Sequence, residues 1–281
     1  MNVVVLEPHG FCAGVTGALR KAYSTASSSS SVYCLHELVH NEIVVGDLKA
    51  RGFVFVDGLE EVPDGATVLF SAHGVAPQVR EAARVRGLRL VDATCPFVER
   101  VHRAAREFVA RGLSVVVVGN HDHAEVKGIL GEAPGASVVR DIAEARSFSP
   151  PPRLAASDAP VVLGVVSQTT MNADEVEEIV DALRERFEVE AAADVCNATK
   201  DRQDAVKAFD GDALLVLGSA SSSNTRRLCE VARCRTFRAG TMDEVRSLDL
   251  SGVSRLGVTS GASTPESFLE EAVGYLRLAK I

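Results

Sequence analysis

Short, almost continuously apolar runs alternate along this chain with longer stretches whose apolar residues recur every three or four positions. The runs VVVL (3–6), TVLFSA (67–72), LRLVDA (88–93), LSVVVVG (113–119), VVLGVVS (161–167), ALLVLGS (213–219) and RLGVTS (255–260) predict strands. Because they lack polar alternation, they read as parallel strands covered on both faces. Between them, FVERVHRAAREFVAR puts Phe97, Val98, Val101, Ala105, Phe108 and Val109 on one helical face. NADEVEEIVDALRERF does the same with Val176, Ile179, Val180, Leu183 and Phe187, and Asn172 with Glu175 resembles a capping box. STPESFLEEAVGYL places Pro265 near a helix start, with Phe268, Leu269, Ala272, Val273 and Leu276 as its buried stripe. Strand and helix in this alternation predict an α/β fold. ASSSSS (26–31) and SPPPRLAASDAP (149–160) read as surface loops.

Composition narrows the class. A chain of 281 residues, 46% hydrophobic and 24% charged, is an ordinary globular sequence, long enough for two or three domains of about 100 residues. No apolar run reaches bilayer length, and the N-terminus lacks the flanks of a targeting peptide. The expectation is a cytoplasmic protein with no membrane partner. A net charge of -8 argues against nucleic acid as a partner, although local donors can still hold a small anion.

Polar residues crowd the carboxyl ends of the predicted strands, the edge at which parallel α/β sheets bind ligands. TVLF leads to SAHGV with His73, and LRLV to DATCP with Cys95. VVVV leads to GNHDHAEV with His121, His123 and Glu125, and VVLGVV to SQTT with Thr169 and Thr170. LLVL leads to GSASSSN with Ser222, Ser223 and Asn224, and RLGV to TSGAS with Ser263. Serine and asparagine at helix starts commonly cap them. Two such loops beside histidines favour a phosphate or diphosphate site, where helix N-termini add N–H donors. His40, His73 and His123 are candidate donors or ligands. His9, His36 and His102 read as structural or surface residues, the last from its place inside a helical pattern. Glu125 suits a proton donor if burial raises its pKa, and otherwise a first-turn acid.

The six cysteines include no C-x-x-C pair, and a disulfide framework is foreign to a reducing compartment. Cys34, Cys229 and Cys234 read as small buried hydrophobes. Cys12 in GFCAGV, Cys95 in DATCP and Cys196 in DVCNAT each precede a helical pattern, where thiolates are favoured. Three thiolates without a nearby fourth ligand suit an iron–sulfur cluster with one open iron. Gly10 and Gly14 are expected to give the Cys12 loop a tight turn.

Taken in order, GFCAGV, HELVHN, SAHGV, DATCP, HAEV, SQTT, DVCNAT, SSSN and GAS resemble the motif set of the 4-hydroxy-3-methylbut-2-enyl diphosphate reductase, or LytB, family over essentially the whole chain. The resemblance implies a three-lobed α/β trefoil with pseudo-threefold symmetry around a central 4Fe–4S cluster. Its lobes would be residues 14–95, 96–194, and 195–281 with the N-terminal strand 1–13. It implies Cys12, Cys95 and Cys196 as ligands of three irons, the fourth iron facing the substrate. It further implies reductive dehydroxylation of the allylic diphosphate to isopentenyl and dimethylallyl diphosphates, the last step of the methylerythritol phosphate route to isoprenoids. His40, His73, Ser222, Asn224 and Ser263 would bind the diphosphate, with His123 and Ser223 nearby. Glu125, helped by the substrate-contacting Thr169, would relay a proton, and a reduced ferredoxin or flavodoxin would supply electrons. Ala124, Ser167 and Asn197 depart from the residues common in the family without removing a ligand or the acid. An iron–sulfur hydro-lyase and a non-catalytic redox sensor are the competing classes. The first leaves the serine-rich loops unexplained, and the second leaves Glu125 and Thr169 idle.

Overall fold

The computed structural model describes residues 1–27, 31–151, 161–192 and 195–278. Most of the two expected surface loops, at 28–30 and 152–160, lies outside the described residues. Among those residues the twelve strands are β1 (Asn2–Val5), β2 (Val32–Leu35), β3 (Phe53–Val56), β4 (Thr67–Phe70), β5 (Arg89–Asp92), β6 (Ser114–Val118), β7 (Ser137–Val139), β8 (Val162–Ser167), β9 (Glu188–Ala192), β10 (Ala213–Leu217), β11 (Arg235–Ala239) and β12 (Arg255–Ser260). They form three four-stranded parallel sheets in the orders β1-β12-β10-β11, β3-β2-β4-β5 and β7-β6-β8-β9. The α/β class expected from the apolar runs is observed.

Chain compactness groups these elements into two units. One comprises Met1–Gly17, Val39–Phe53 and Asn197–Ile281, the other Ala18–Leu38 and Val54–Cys196. The first unit holds the sheet containing β1, whose core includes Leu215, Leu217, Leu256 and Val258 against Phe268, Leu269, Ala272, Val273 and Leu276 of the helix Glu266–Leu278. In the second unit, Val116, Val118 and Val165 pack against Val176, Ile179, Val180 and Leu183 of the helix Ala173–Arg184. Each such fully buried aliphatic side chain contributes about 1.5–3 kcal/mol of transfer free energy. Asn172 caps that helix by accepting the Asp174 N–H. No helix of the described residues is long and apolar enough to cross a membrane.

The central strands β4, β6 and β10 are buried along their whole length, because helices cover both faces of a parallel sheet. Their register aligns strand ends at one edge: Phe70 pairs with Asp92, Val118 with Ser167, and Leu217 with Ser260. Each polar motif therefore leaves its own sheet at the carboxyl edge.

Of the stripe expected on the helix Pro96–Ala110, Val98, Val101, Ala105 and Phe108 are buried, but Val109 is exposed. His102 takes a core position instead. Phe108 lies where a Cβ on Gly164 of β8 would collide with its ring. Gly164→Ala is accordingly expected to cost about 1–3 kcal/mol by overpacking. Thermal unfolding checks this, and an unchanged midpoint would mean that β8 does not need a glycine there.

Candidate active site

In the second unit the site is built around a buried carboxyl. Glu125 lies in the first turn of the helix Ala124–Glu132 and is 1% exposed. It accepts the Thr169 N–H at 2.7 Å and the Thr169 hydroxyl at 3.1 Å. Burial pushes the carboxyl up to about 7 despite the two Thr169 bonds, which favour the anion. The first-turn alternative gives Glu125 its location but does not account for its removal from water. His123 is the N-cap of the same helix, and its Nδ1 accepts the Glu125 N–H at 3.2 Å. That bond leaves Nε2 to carry the proton of the neutral ring. The His73 ring stands edge-on to His123, with centroids 5.6 Å apart and planes at 84°.

Two of the three singled-out cysteines join this group through the backbone. The Cys196 N–H donates to the Thr169 carbonyl at 3.2 Å, and the Cys95 N–H to the Ala72 carbonyl, one residue before His73, at 3.0 Å. Cys95 is the N-cap of the helix Pro96–Ala110, and Cys196 immediately precedes the helix Asn197–Ala208. Gln168 braces the strand ends: its side chain accepts the Asn120 N–H at 3.1 Å and donates to Thr170 Oγ1 at 2.7 Å.

In the first unit a second cluster surrounds the GAS loop. The Cys12 N–H donates to the Ala262 carbonyl at 3.1 Å, and the Ala262 N–H to Asn224 Oδ1 at 2.9 Å. Ser263 Oγ donates to the His40 carbonyl at 3.0 Å. Cys12 Sγ accepts the Val15 N–H at 3.5 Å, from the first turn of the helix Ala13–Ala26. Gly10 has φ of 68°, and a Cβ there would run into Glu266. The tight turn expected of Gly10 is present, but Gly14 is an ordinary member of the helix.

The serine-rich loop behaves as a cap. Ser222 is the N-cap of the helix Ser223–Val231 and accepts the Thr225 N–H at 3.3 Å. Ser222, Ser223 and Asn224 are all buried. Capping uses a lone pair of Ser222 and leaves its hydroxyl proton available.

Two further polar residues, Arg202 in the helix Asn197–Ala208 and Glu42 at the start of the helix Glu42–Ala50, belong to no motif. Arg202, 3% exposed, donates to the carbonyls of Gly10 at 2.8 Å, His9 at 3.3 Å and Ala198 at 2.8 Å. Glu42 accepts the Ser219 hydroxyl at 2.6 Å. A signal for Arg202 does exist in the pattern: Thr199, Arg202, Gln203 and Val206 occupy the buried stripe of their helix. Polar residues at core spacing must find partners inside the protein.

All six cysteines are free thiols. Burial pushes the Cys34 thiol up to about 12 and Cys229 up to about 11, and raises Cys234. These three are poor sources of thiolate. Cys12, Cys95 and Cys196 are half-buried at helix starts, where the dipole favours an anion. Among the described residues no group of three or more His, Cys, Asp or Glu side chains surrounds a single metal-ion position. A cluster mount does not need one, because each of its thiolates holds a different iron.

Residues 3–277 match the model of the LytB protein family. The chain belongs to the LytB family. Curated LytB relatives include 4-hydroxy-3-methylbut-2-enyl diphosphate reductases of Anaplasma marginale (strain Florida) and Dechloromonas aromatica (strain RCB). The first is 40% identical over 290 residues, covering 99% of this chain and 83% of the relative. The second is 41% identical over 286 residues, covering 99% and 92%. Among solved structures, the E-1-hydroxy-2-methyl-but-2-enyl-4-diphosphate reductase from Plasmodium falciparum aligns with a TM-score of 0.90 at 30% identity, covering 99% of this chain and 89% of that one. A second structure, (E)-4-hydroxy-3-methyl-but-2-enyl diphosphate reductase, described as the terminal enzyme of the non-mevalonate pathway, aligns with a TM-score of 0.67 at 33% identity, covering 99% and 100%.

Proposed function

We propose that this LytB chain reduces (E)-4-hydroxy-3-methylbut-2-enyl diphosphate to isopentenyl and dimethylallyl diphosphates, with two electrons and two protons removing the hydroxyl as water. Membership of the family and relatives named for this substrate support the reaction class. The observation that carries the reading furthest is the buried Glu125–Thr169 pair, joined to Cys196 through the Thr169 carbonyl. It sets a carboxyl with an affinity for protons near neutrality beside one of the three candidate ligands.

Cys12, Cys95 and Cys196 would hold a 4Fe–4S cluster, with Cys95 closing the proposed lobe 14–95, and with Cys12 and Cys196 in the lobe 1–13 with 195–281, Cys196 just beyond the end of the lobe 96–194. Their free, half-buried thiols at helix N-termini form a soft donor set that fits such a group. When bound, the cluster would pass on, one at a time, the two electrons of an external donor and would offer a Lewis-acid iron to the substrate. The chain's own residues do the rest. Glu125 delivers a proton to the departing hydroxyl, which would otherwise leave as hydroxide, and the Thr169 hydroxyl orients that carboxyl. His40, His73, Ser222, Asn224 and Ser263 bind the diphosphate, with His123 and Ser223 alongside. Backbone N–H groups at the start of the helix Ser223–Val231 favour the same charge. A reduced ferredoxin or flavodoxin in the cytoplasm is the electron donor.

Anaerobically prepared, cluster-loaded protein is expected to consume the hydroxylated allylic diphosphate only when a strong one-electron reductant is present. Both five-carbon diphosphates should appear together with the loss of substrate. No consumption by loaded protein would overturn the reductase reading, and conversion without reductant would replace it with a hydro-lyase.

A further inference from the structure

His102 lies outside every motif invoked above, yet its ring packs against Gly74 of SAHGV and against the helix that HAEV opens. It sits on the helix Pro96–Ala110 that begins beside Cys95, and it is wholly buried. One edge of the imidazole is pressed between two glycines. A Cβ on Gly74, the residue after His73, would stand 3.1 Å from Cε1 and 3.3 Å from Nε2. A Cβ on Gly128, in the helix that carries Glu125, would stand 3.0 Å and 3.1 Å from the same atoms. The opposite edge is tied down: Nδ1 bonds Glu132 Oε1 at 3.2 Å, and Arg106 holds that oxygen at 2.8 Å. Glu132 ends the Glu125 helix, so His102 and Arg106 clamp this helix from the helix beginning at Cys95.

The pattern is unusual for a residue that only fills space. His102 Nε2 is buried and has no hydrogen-bond partner among the described residues. Burial, with a smaller contribution from Arg80, lowers the pKa of the ring more than Glu132 and Glu99 raise it. The ring is thus neutral, with Nδ1–H donating to the carboxylate and a bare Nε2 facing the glycines. A phenyl ring would fill the gap without the bond to Glu132. An asparagine would keep the bond but withdraw the edge that touches Gly74 and Gly128.

We propose that His102 is a positioning residue: its ring sets the spacing between the His73 loop and the Glu125 helix, and Gly128 is a glycine because it receives that ring. The consequence for turnover rests on the reductase reading, but the spacing itself can be read without substrate. Gly74 has φ of 76°, so a side chain there is strained in any case. Gly128 is helical and accepts alanine once the ring is gone, which makes it the informative partner.

The test uses full-length, cluster-loaded protein carrying His102→Ala, Gly128→Ala or both. Each single substitution is expected to lower kcat/KM about ten-fold or more, since small misplacements of reacting groups are costly. The double variant should recover to within about three-fold of the parent, because the crowding is gone and the methyl, beside the former ring edge, fills part of the space it leaves. In parallel, hydrogen exchange of the 167–171 segment reports the Thr169 N–H that Glu125 accepts. Exchange there should accelerate in both single variants and slow again in the double. Additive losses, or lowered melting temperatures with unchanged kcat/KM and unchanged exchange, would overturn the proposal. Should His102→Ala fail to fold, His102→Asn preserves the Glu132 bond. Faster exchange at 167–171 in that variant supports the spacer role, and parental exchange refutes it. An inactive parent would end the reductase reading while leaving the exchange result to judge His102.

Discussion

Serine at Cys12, Cys95 or Cys196 is expected to yield a folded chain that loses most of its iron and at least about a thousand-fold of its reductase activity, in proportion to the role of nucleophilic or ligand groups that act as a unit. Serine is nearly isosteric with cysteine, but its alcohol is too weak an acid to replace a thiolate as a soft ligand. All three positions are half-buried at helix starts, so the substitution removes little packing. The control is Cys34→Ser. Cys34 is fully buried in β2 with its thiol pushed up to about 12, and it lies in a strand, not at a helix start. That change should cost about 1–3 kcal/mol through a buried hydroxyl and leave iron per folded chain unchanged. Iron content, the visible absorption of the cluster and the thermal midpoint of each variant separate the two outcomes. Equal iron loss at all four positions would contradict the sorting of ligand from filler.

The fold was legible wherever burial is complete. Central strands such as VVVV and ALLVL are covered on both faces, so the apolar run is the whole signal. The strands that escaped are mostly edges. EVEAA in β9 and RTFRA in β11 expose part of each strand, and their charged residues erase the pattern. β2 escaped for another reason: four residues, VYCL, are too short to announce themselves although they lie inside their sheet. Strand ends were the readable part of the site, since the polar residues after β4, β6, β8, β10 and β12 follow directly from parallel topology.

Other parts of the site could not be read residue by residue. Thr169 serves Glu125 with two donors and Cys196 with its carbonyl, a relation between motifs that no local pattern encodes. The separation of Cys12, Cys95 and Cys196 along the chain has no fixed spacing to read, so their shared place before helical patterns grouped them and the ordered resemblance of the motifs gave them their role. His102 was set aside as a residue inside a helical pattern, and the structure buries it in the apolar stripe of that helix. A histidine at a core position reads as bland until the glycines facing it are known.

Glu125→Gln is expected to lower kcat by roughly 10²–10⁴, the usual weight of a general acid, and at the same time to stabilise the protein above neutrality. Glutamine is close in shape, and its amide oxygen can still accept the Thr169 N–H, so the loss reports the missing proton and not a collapsed site. The stability effect follows from the same burial that equips Glu125 for its role. Its folded-state pKa rises from 4.5 to about 7, so the folded chain binds this proton more tightly than the unfolded chain does. The favourable contribution is complete below 4.5 and is lost as pH rises through 7, where the ionised carboxylate must remain buried. Relative to the parent, the glutamine variant should therefore gain stability between pH 4.5 and 7. The gain levels off at roughly 3 kcal/mol near pH 8, or several degrees in the melting midpoint. In kinetics, parental kcat/KM should fall as pH rises through about 7, and that limb should be absent from the variant. Turnover near the parental rate would remove Glu125 from the proton path. A melting difference that ignores pH would mean that the carboxyl is not held neutral by its burial, and the proton would have to come from elsewhere.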